Sequence, residues 1–160
     1  MLVELELEGV RLEVPSSVPV MMLRETAGRR RVIPIYIGGP EASAIHYALE
    51  GIVPERPLTH DLMLNMIGEL GHQVDKLVLT EVKDHTYFAE LSLDGGEYTV
   101  SCRPSDGVAV AIRAGVQIFA AESLVDEVGR EVVSEGAETE EIIDDFREFI
   151  NNISPEDFSQ

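Results

Sequence analysis

Two short stretches of the chain place an arginine, a proline, a hydroxyl residue and an acid in the same order. They are Arg56-Pro57-Leu58-Thr59-His60-Asp61 and Arg103-Pro104-Ser105-Asp106. Arginine pairs well with phosphate oxygens, carboxylates bind divalent metals, and histidine titrates near neutral pH. If the two stretches meet in the fold, they supply the groups needed for metal-assisted attack on a phosphodiester.

The residue types suggest a separate role for each side chain. The two arginines would hold phosphate, and the histidine would act as general acid or base. The two aspartates would bind Mg²⁺ or Mn²⁺, and Glu41, an acid at the start of an earlier predicted helix, would be a third metal ligand. The candidate catalytic residues are therefore Arg56, His60, Asp61, Arg103 and Asp106.

A purely structural interpretation of the same residues stays open beside the catalytic one. Thr59 and Ser105 stand where helix N-caps belong, and an acid in the first turn favours the helix dipole. In this interpretation His60 is exposed and has no role. Capping does not explain why an Arg-Pro pair precedes both helices. The catalytic interpretation of these residues therefore stays open as well.

The apolar periodicity predicts the elements that position these stretches. Val3, Leu5 and Leu7 alternate with glutamates. After Gly9 the apolar residues move from odd-numbered to even-numbered positions, which predicts a bulge or bend within one strand. Further strands, a pair of central helices, three more strands and a short helix follow. This order predicts a single compact α+β domain over residues 1–128, with a mixed, mostly antiparallel sheet flanked by helices.

The second predicted helix and the end of the chain each carry an apolar stripe. The stripe of the helix after the first Arg-Pro pair consists of Leu62, Met63, Met66, Ile67 and Leu70. Residues 129–160 form an acidic tail in which a helix at about 139–151 is predicted. Its stripe consists of Ile142, Ile143, Phe146, Phe149 and Ile150. Such a stripe predicts docking on the body of the protein or on a second subunit.

Charge and composition limit the classes of function. The net charge is −18, and residues 131–160 hold ten acids and one arginine, a net charge of −9. The net negative charge of the whole protein repels nucleic acid, so a polyanion could be contacted only at a local group of basic residues. The absence of a signal-peptide pattern, an apolar span of membrane length and a second cysteine predicts a cytoplasmic protein that does not contact a membrane.

Around the two Arg-Pro stretches the sequence closely resembles the bifunctional nuclease domain family. The matching motifs are Arg56–Leu62 and Arg103–Asp106, preceded by Ile37-Gly38 and Glu41-Ala42. The resemblance runs from about Met1 to Glu127, and the acidic tail is similar to those of bacterial members. It implies a compact α+β domain that associates with itself and, for some plant members, DNase and RNase activity.

This chain departs from the family pattern at two places. The family usually has an acid before its second Arg-Pro pair, where this chain has Ser101-Cys102, and alanine where Gly107 stands. The leading hypothesis is a homo-oligomeric nuclease that hydrolyses DNA or RNA phosphodiesters with Mg²⁺ or Mn²⁺. The alternative is a non-catalytic, self-associating regulatory or binding module whose two Arg-Pro stretches are structural.

Overall fold

A computed structural model describes residues 1–132 of the protein. Its strands are β1 (Leu2–Glu13), β2 (Val18–Glu25), β3 (Val32–Tyr36), β4 (Val74–Lys83), β5 (Thr86–Leu93), β6 (Tyr98–Cys102) and β7 (Gln117–Ala121). Its helices are α1 (Gly39–Leu49), α2 (Thr59–Glu69), α3 (Pro104–Ala114) and α4 (Glu122–Val128). The predicted helix at about 139–151 and the acidic tail beyond residue 132 lie outside the described residues.

The strands form one mixed sheet in the order β3-β2-β1-β7-β4-β5-β6. Neighbouring strands run antiparallel except β4 and β7, which are parallel and are connected through β5, β6 and α3. The predicted fold class, a single α+β domain with a mostly antiparallel mixed sheet flanked by helices, is confirmed. Within residues 1–132 the structure contains no helix long and apolar enough to cross a membrane.

The parity change in β1 is produced by a bulge, as the sequence predicted. The pairing of β1 with β2 shifts register between Leu7 and Gly9. Because of this extra residue, both Leu5 before the bulge and Val10 after it lie in the core. Gly9 has φ of 151°, a backbone conformation that favours glycine.

The core lies between one face of the sheet and the helices. Most strands alternate between buried apolar and more exposed residues, so the opposite face of the sheet is open to solvent. Helix α3 runs through the centre of the helical layer, where it contacts α1, α2 and strands β4, β5 and β7. Its residues Val108 to Ala111 are fully buried, which explains their continuous apolar sequence.

The two helices that follow Arg-Pro begin earlier than the capping pattern predicted. Leu58 and Arg103 occupy the N-cap positions, so the prediction of Thr59 and Ser105 as N-caps is wrong. At α3, Pro104 is itself the first helical residue, where its fixed φ suits a helix and its missing N–H costs nothing. At α2, the Asp61 carboxylate accepts a hydrogen bond of 3.0 Å from the Leu58 N–H.

The apolar stripe of α2 is largely exposed. Leu62, Met63, Met66 and Leu70 are each at least 40% exposed, and Ile67 is half-buried. An amphipathic helix normally buries its apolar stripe against the core. Helix α2 instead contacts α3 with its other side, so the stripe faces away from the helical layer. Strand β6, at the neighbouring edge of the sheet, is also exposed along most of its length.

A buried ion pair fastens the end of the described chain to the opposite edge of the sheet. The Arg31 guanidinium donates to both carboxylate oxygens of Glu25, at 3.0 and 2.9 Å, and to Asp126 of α4 at 2.8 Å. Two backbone hydrogen bonds join Arg130 to Val32 of β3. The chain therefore leaves the domain beside β3.

Candidate active site

The first turns of three helices meet on one side of the domain. Glu41 stands in the first turn of α1, His60 in that of α2 and Asp106 in that of α3, while Arg103 is the N-cap residue of α3. Because α1 and α2 both pack against α3, these helix starts lie close together. The structure thus brings together the second Arg-Pro stretch, the histidine of the first and the predicted third acid.

Hydrogen bonds join these four side chains into one chain of contacts. Asp106 Oδ1 lies 2.9 Å from His60 Nε2, and its Oδ2 accepts a 2.8 Å bond from Arg103 Nε. Arg103 Nη2 donates a further 2.8 Å bond to Glu41 Oε1. We call this set, Glu41–Arg103–Asp106–His60, the polar chain.

The polar chain runs from the interior to solvent. His60 is only 7% exposed, whereas the Arg103 side chain is 66% exposed. The prediction of an exposed His60 is therefore wrong, because the residue lies on the side of α2 that faces α3. Partial burial raises the pKa of Asp106, but hydrogen bonds from His60 and Arg103 outweigh it, so the pKa falls below its usual value. Asp106 is therefore ionised at neutral pH.

Gly38 leaves room for the outer acid of the polar chain. The Glu41 carboxylate folds back onto the start of α1 and lies directly against the Gly38 backbone. A β-carbon at this position would overlap with it. The absence of a side chain at Gly38 therefore helps to keep Glu41 within reach of Arg103.

The structure places Asp61 in a different contact. Its Oδ1 accepts a 2.8 Å bond from Arg113 Nε, while Arg113 also donates to the carbonyl oxygens of Ala109 and Ala44. Burial raises the pKa of Asp61, and the bonds from Leu58 and Arg113 more than offset this, so the pKa is lowered. Sequence reasoning missed Arg113, although it is the one cation within the apolar sequence of α3.

Asp61 and Asp106 line different cavities. Asp61 and Arg113 border a cavity of about 320 Å³ beside the loop that joins α1 to α2. Asp106 borders a cavity of about 470 Å³ between α2 and β6. The two aspartates that the sequence assigned to one metal site thus border different cavities.

Arg56 stands apart from the polar chain. It is exposed in the loop before α2, and no hydrogen bond or ion pair of its side chain occurs among residues 1–132. It remains available for an external anion.

The carboxylates of the polar chain, as arranged, do not fit a metal ion. Both oxygens of Asp106 and one of Glu41 are engaged by His60 or Arg103. In the described part of the chain no group of three or more His, Cys, Asp or Glu side chains is arranged to hold a metal ion. The assignment of Mg²⁺ or Mn²⁺ to Asp61, Asp106 and Glu41 therefore stays a prediction.

The two departures from the family pattern touch each other. A β-carbon added to Gly107 would lie 2.9 Å from the Cys102 sulfur and 2.5 Å from Leu77 Cδ1. The sulfur of Cys102 thus fills part of the space that a larger residue at position 107 would need. Burial raises the pKa of the Cys102 thiol to about 11, so it stays protonated at neutral pH and serves as a packing residue.

An apolar groove adjoins the polar chain. It is the 470 Å³ cavity, which lies between the exposed stripe of α2 and the outer strands, with Arg103 and Asp106 in its wall. The other lining residues are Met63, Met66, Ile67, Leu70, Leu91, Val100, Ser101, Cys102 and Val110. We call this cavity the α2–β6 groove.

The fold and the polar chain define an α+β domain with a cluster of acids, arginine and histidine at converging helix starts. The sequence model described as "bifunctional nuclease domain" matches residues 21–133, which include every residue of the polar chain. The protein belongs to the bifunctional nuclease domain family.

Relatives occur in bacteria and plants. An uncharacterized protein found in two strains of Mycobacterium tuberculosis is 38% identical, with 97% of each chain covered. Bifunctional nuclease 2 of Oryza sativa subsp. japonica is 28% identical over 73% of this chain and 38% of its own length. Bifunctional nuclease 1 of Arabidopsis thaliana is 24% identical over 74% of this chain and 38% of its own length.

Proposed function

We propose that the protein hydrolyses phosphodiester bonds of DNA or RNA at the polar chain. The observation that carries this proposal is the buried His60–Asp106 pair joined directly to the exposed cation Arg103. The family supports a nuclease in general, and two plant relatives are named bifunctional nucleases. The plant proteins are much longer than this domain, so their activity enters here only as support.

In the proposed reaction, Arg103 binds the phosphate and His60 moves the proton. Two nitrogens of Arg103 are held by Asp106 and Glu41, which leaves Nη1 to donate to a phosphate oxygen. Asp106 accepts from His60 Nε2 and so favours the tautomer whose Nδ1 carries a lone pair. That Nδ1 takes a proton from the attacking water as the new phosphorus–oxygen bond forms, and returns a proton to the departing oxygen.

Other residues have supporting roles in this proposal. Arg56, exposed and without a described partner, would contact a second phosphate along the strand. Asp61 would position the start of α2, and with it His60, through Leu58 and Arg113. We derive no step through a metal ion, because the acids of the polar chain are engaged by arginine and histidine.

Cleavage of single-stranded DNA and RNA by highly purified protein tests this proposal. We expect cleavage that Asp106→Ala abolishes and that Asp61→Asn reduces by less than about tenfold, since Asp61 only positions α2. The assay is run with Mg²⁺, with Mn²⁺ and with a chelator, which measures the metal requirement separately. Unchanged cleavage in Asp106→Ala would refute the assignment.

A specific observation favours the alternative, a non-catalytic self-associating module. Each acid of the polar chain is engaged in an ion pair at a helix start, which is sufficient to explain its presence as architecture. This alternative predicts that Asp106→Ala lowers the melting temperature while purified native protein has no nuclease activity. Detectable cleavage by the native protein that depends on His60 would exclude it.

A further inference from the structure

The α2–β6 groove is an apolar surface of the described domain that no element among residues 1–132 covers. Three of its lining residues, Met63 and Met66 of α2 and Leu70 at the C-cap of α2, are 40% to 72% exposed. On the other side, Val100 and Tyr98 of the edge strand β6 are nearly half exposed. Contiguous exposed apolar surface of this kind marks an interaction site in a folded protein.

The groove also differs in charge from the rest of this acidic protein. Residues 62–68 of α2 and 98–102 of β6 contain no charged side chain, and the nearest cation in the groove wall is Arg103. An occupant must therefore have an apolar face, and acids beside that face would be attracted to Arg103.

One segment of the same chain has these properties. Residues 139–151 place Ile142, Ile143, Phe146, Phe149 and Ile150 at helical spacing, with Asp144, Asp145 and Glu148 between them. A helix of that length extends about 20 Å. It would match the length of α2, which at 11 residues extends about 16 Å.

The connection between the described chain and this segment is short compared with the width of the sheet. The described chain leaves the domain beside β3, and β3 and β6 are at opposite edges of the sheet. Six strand spacings separate these edges by about 29 Å. Seven Cα–Cα steps lead from Val132 to Thr139, and they reach at most about 25 Å when fully extended. A groove on a second copy is therefore the favoured binding site for the segment.

We propose that the α2–β6 groove binds residues 139–151 of a second copy of this chain. Reciprocal exchange of the two segments gives a closed dimer with two-fold symmetry, in which each groove is filled by the partner's apolar stripe. This interaction does not depend on whether the polar chain is catalytic.

Thiol accessibility in the full-length protein tests the proposal. Met66→Cys places a probe in the groove, where Met66 is 54% exposed, and Val53→Cys places a reference thiol at a position 88% exposed and outside the groove. Labelling with maleimide is followed on the peptide that carries the introduced thiol, so that native Cys102 does not contribute, and each rate is divided by the rate in urea. We expect Met66→Cys to react at least tenfold more slowly than Val53→Cys, and a second probe at Leu70 to behave in the same way.

The occupant is identified by variants of the tail. With Phe146→Glu/Phe149→Glu, the labelling rates of Met66→Cys and Val53→Cys should come within twofold of each other. The mass in solution should fall from that of a dimer, about twice 17.6 kDa, to the 17.6 kDa of a monomer. Asn152→Glu/Ser154→Glu adds the same charge outside the stripe and should leave both protection and mass unchanged. Three results would overturn the proposal: a freely reactive Met66→Cys, protection that survives the Phe146/Phe149 change, or protection in a monomer.

Discussion

At the scale of single residues, the polar chain depends on an aspartate held between a histidine and an arginine. Asp106 is the one member that contacts two others through separate oxygens, His60 through Oδ1 and Arg103 through Oδ2. Its removal would leave the buried His60 without its described partner and free Arg103 from the α3 start. Asp106 therefore matters for stability in both of the functions considered above.

Asp106→Asn should destabilise the protein in a pH-dependent way. Folding lowers the pKa of Asp106, so its stabilising effect is complete above the unfolded pKa of about 4 and is lost as pH falls through the lower folded value. We expect a loss of about 1–2 kcal/mol near pH 7, since the lost hydrogen bonds are charge-assisted but partly exposed. The difference in unfolding free energy from wild type should shrink below about pH 4.

Urea unfolding at pH 7, 5 and 3.5 measures this effect. Asp84→Asn, at an exposed turn between β4 and β5, is the matched control and should change stability little at any of these pH values. A stability difference for Asp106→Asn that is equal at pH 7 and 3.5 would contradict the assigned charge state.

Gly107 and Cys102 should be energetically coupled. Gly107→Ala introduces a methyl group 2.9 Å from the Cys102 sulfur and 2.5 Å from the buried Leu77. We expect a net cost of about 1 kcal/mol, because overpacking outweighs the gain of about 1 kcal/mol in helix propensity. In a Cys102→Ala background the same substitution should cost less than half as much. A double-mutant cycle by urea unfolding measures the coupling, and additivity within about 0.3 kcal/mol would contradict it.

At the scale of elements, α3 positions the site and the Arg31–Glu25 pair positions the end of the chain. Helix α3 is buried along its length and is the surface on which α1 and α2 place Glu41 and His60. At the other edge of the sheet, Arg31 joins β2, β3 and α4 through Glu25 and Asp126. The contacts of α3 with α1 and α2 position the residues of the proposed active site. The contacts of Arg31 hold the end of the described chain beside β3.

Arg31→Met should be among the more damaging single substitutions in the domain. It leaves the Glu25 carboxylate, 4% exposed, as an uncompensated buried charge, which costs about 3–5 kcal/mol. Glu25→Gln/Arg31→Met removes that charge but keeps an acceptor for the Arg31 backbone N–H, so most of the loss should be recovered. Thermal unfolding of both variants measures this, and a double variant no more stable than Arg31→Met would contradict the explanation.

Sequence patterns predicted most of these elements but not how they contact one another. The bulge at Gly9 and the strands β4, β5 and β6 followed from alternation and turn residues, which are local. The meeting of His60 with Asp106 is a contact between residues 46 positions apart, and no local pattern encodes it. The exposure of the α2 stripe was missed for the same reason, because periodicity defines an apolar face without its partner.

At the scale of the whole molecule, the net charge of −18 opposes binding of nucleic acid anywhere except at local cations. Arg56 and Arg103 are exposed near the start of α2 and at the polar chain, so contact with nucleic acid should involve few phosphates. Any binding should therefore depend weakly on salt, with a slope of log K against log salt near −1 to −2. Fluorescence anisotropy of a labelled oligonucleotide from 50 to 300 mM salt measures the slope, and a slope steeper than about −4 would point to a different surface.

The most direct test of the proposed function compares two histidines that each pair with an aspartate. His60 bonds to Asp106 in the polar chain, whereas His72 bonds to Asp94 at 2.5 Å in a separate contact. Cleavage of single-stranded DNA and RNA by His60→Gln should fall at least a hundredfold in kcat, while His72→Gln should stay within twofold of wild type. Equal cleavage by wild type and His60→Gln, with both proteins folded, would contradict the assignment of nuclease chemistry to the polar chain.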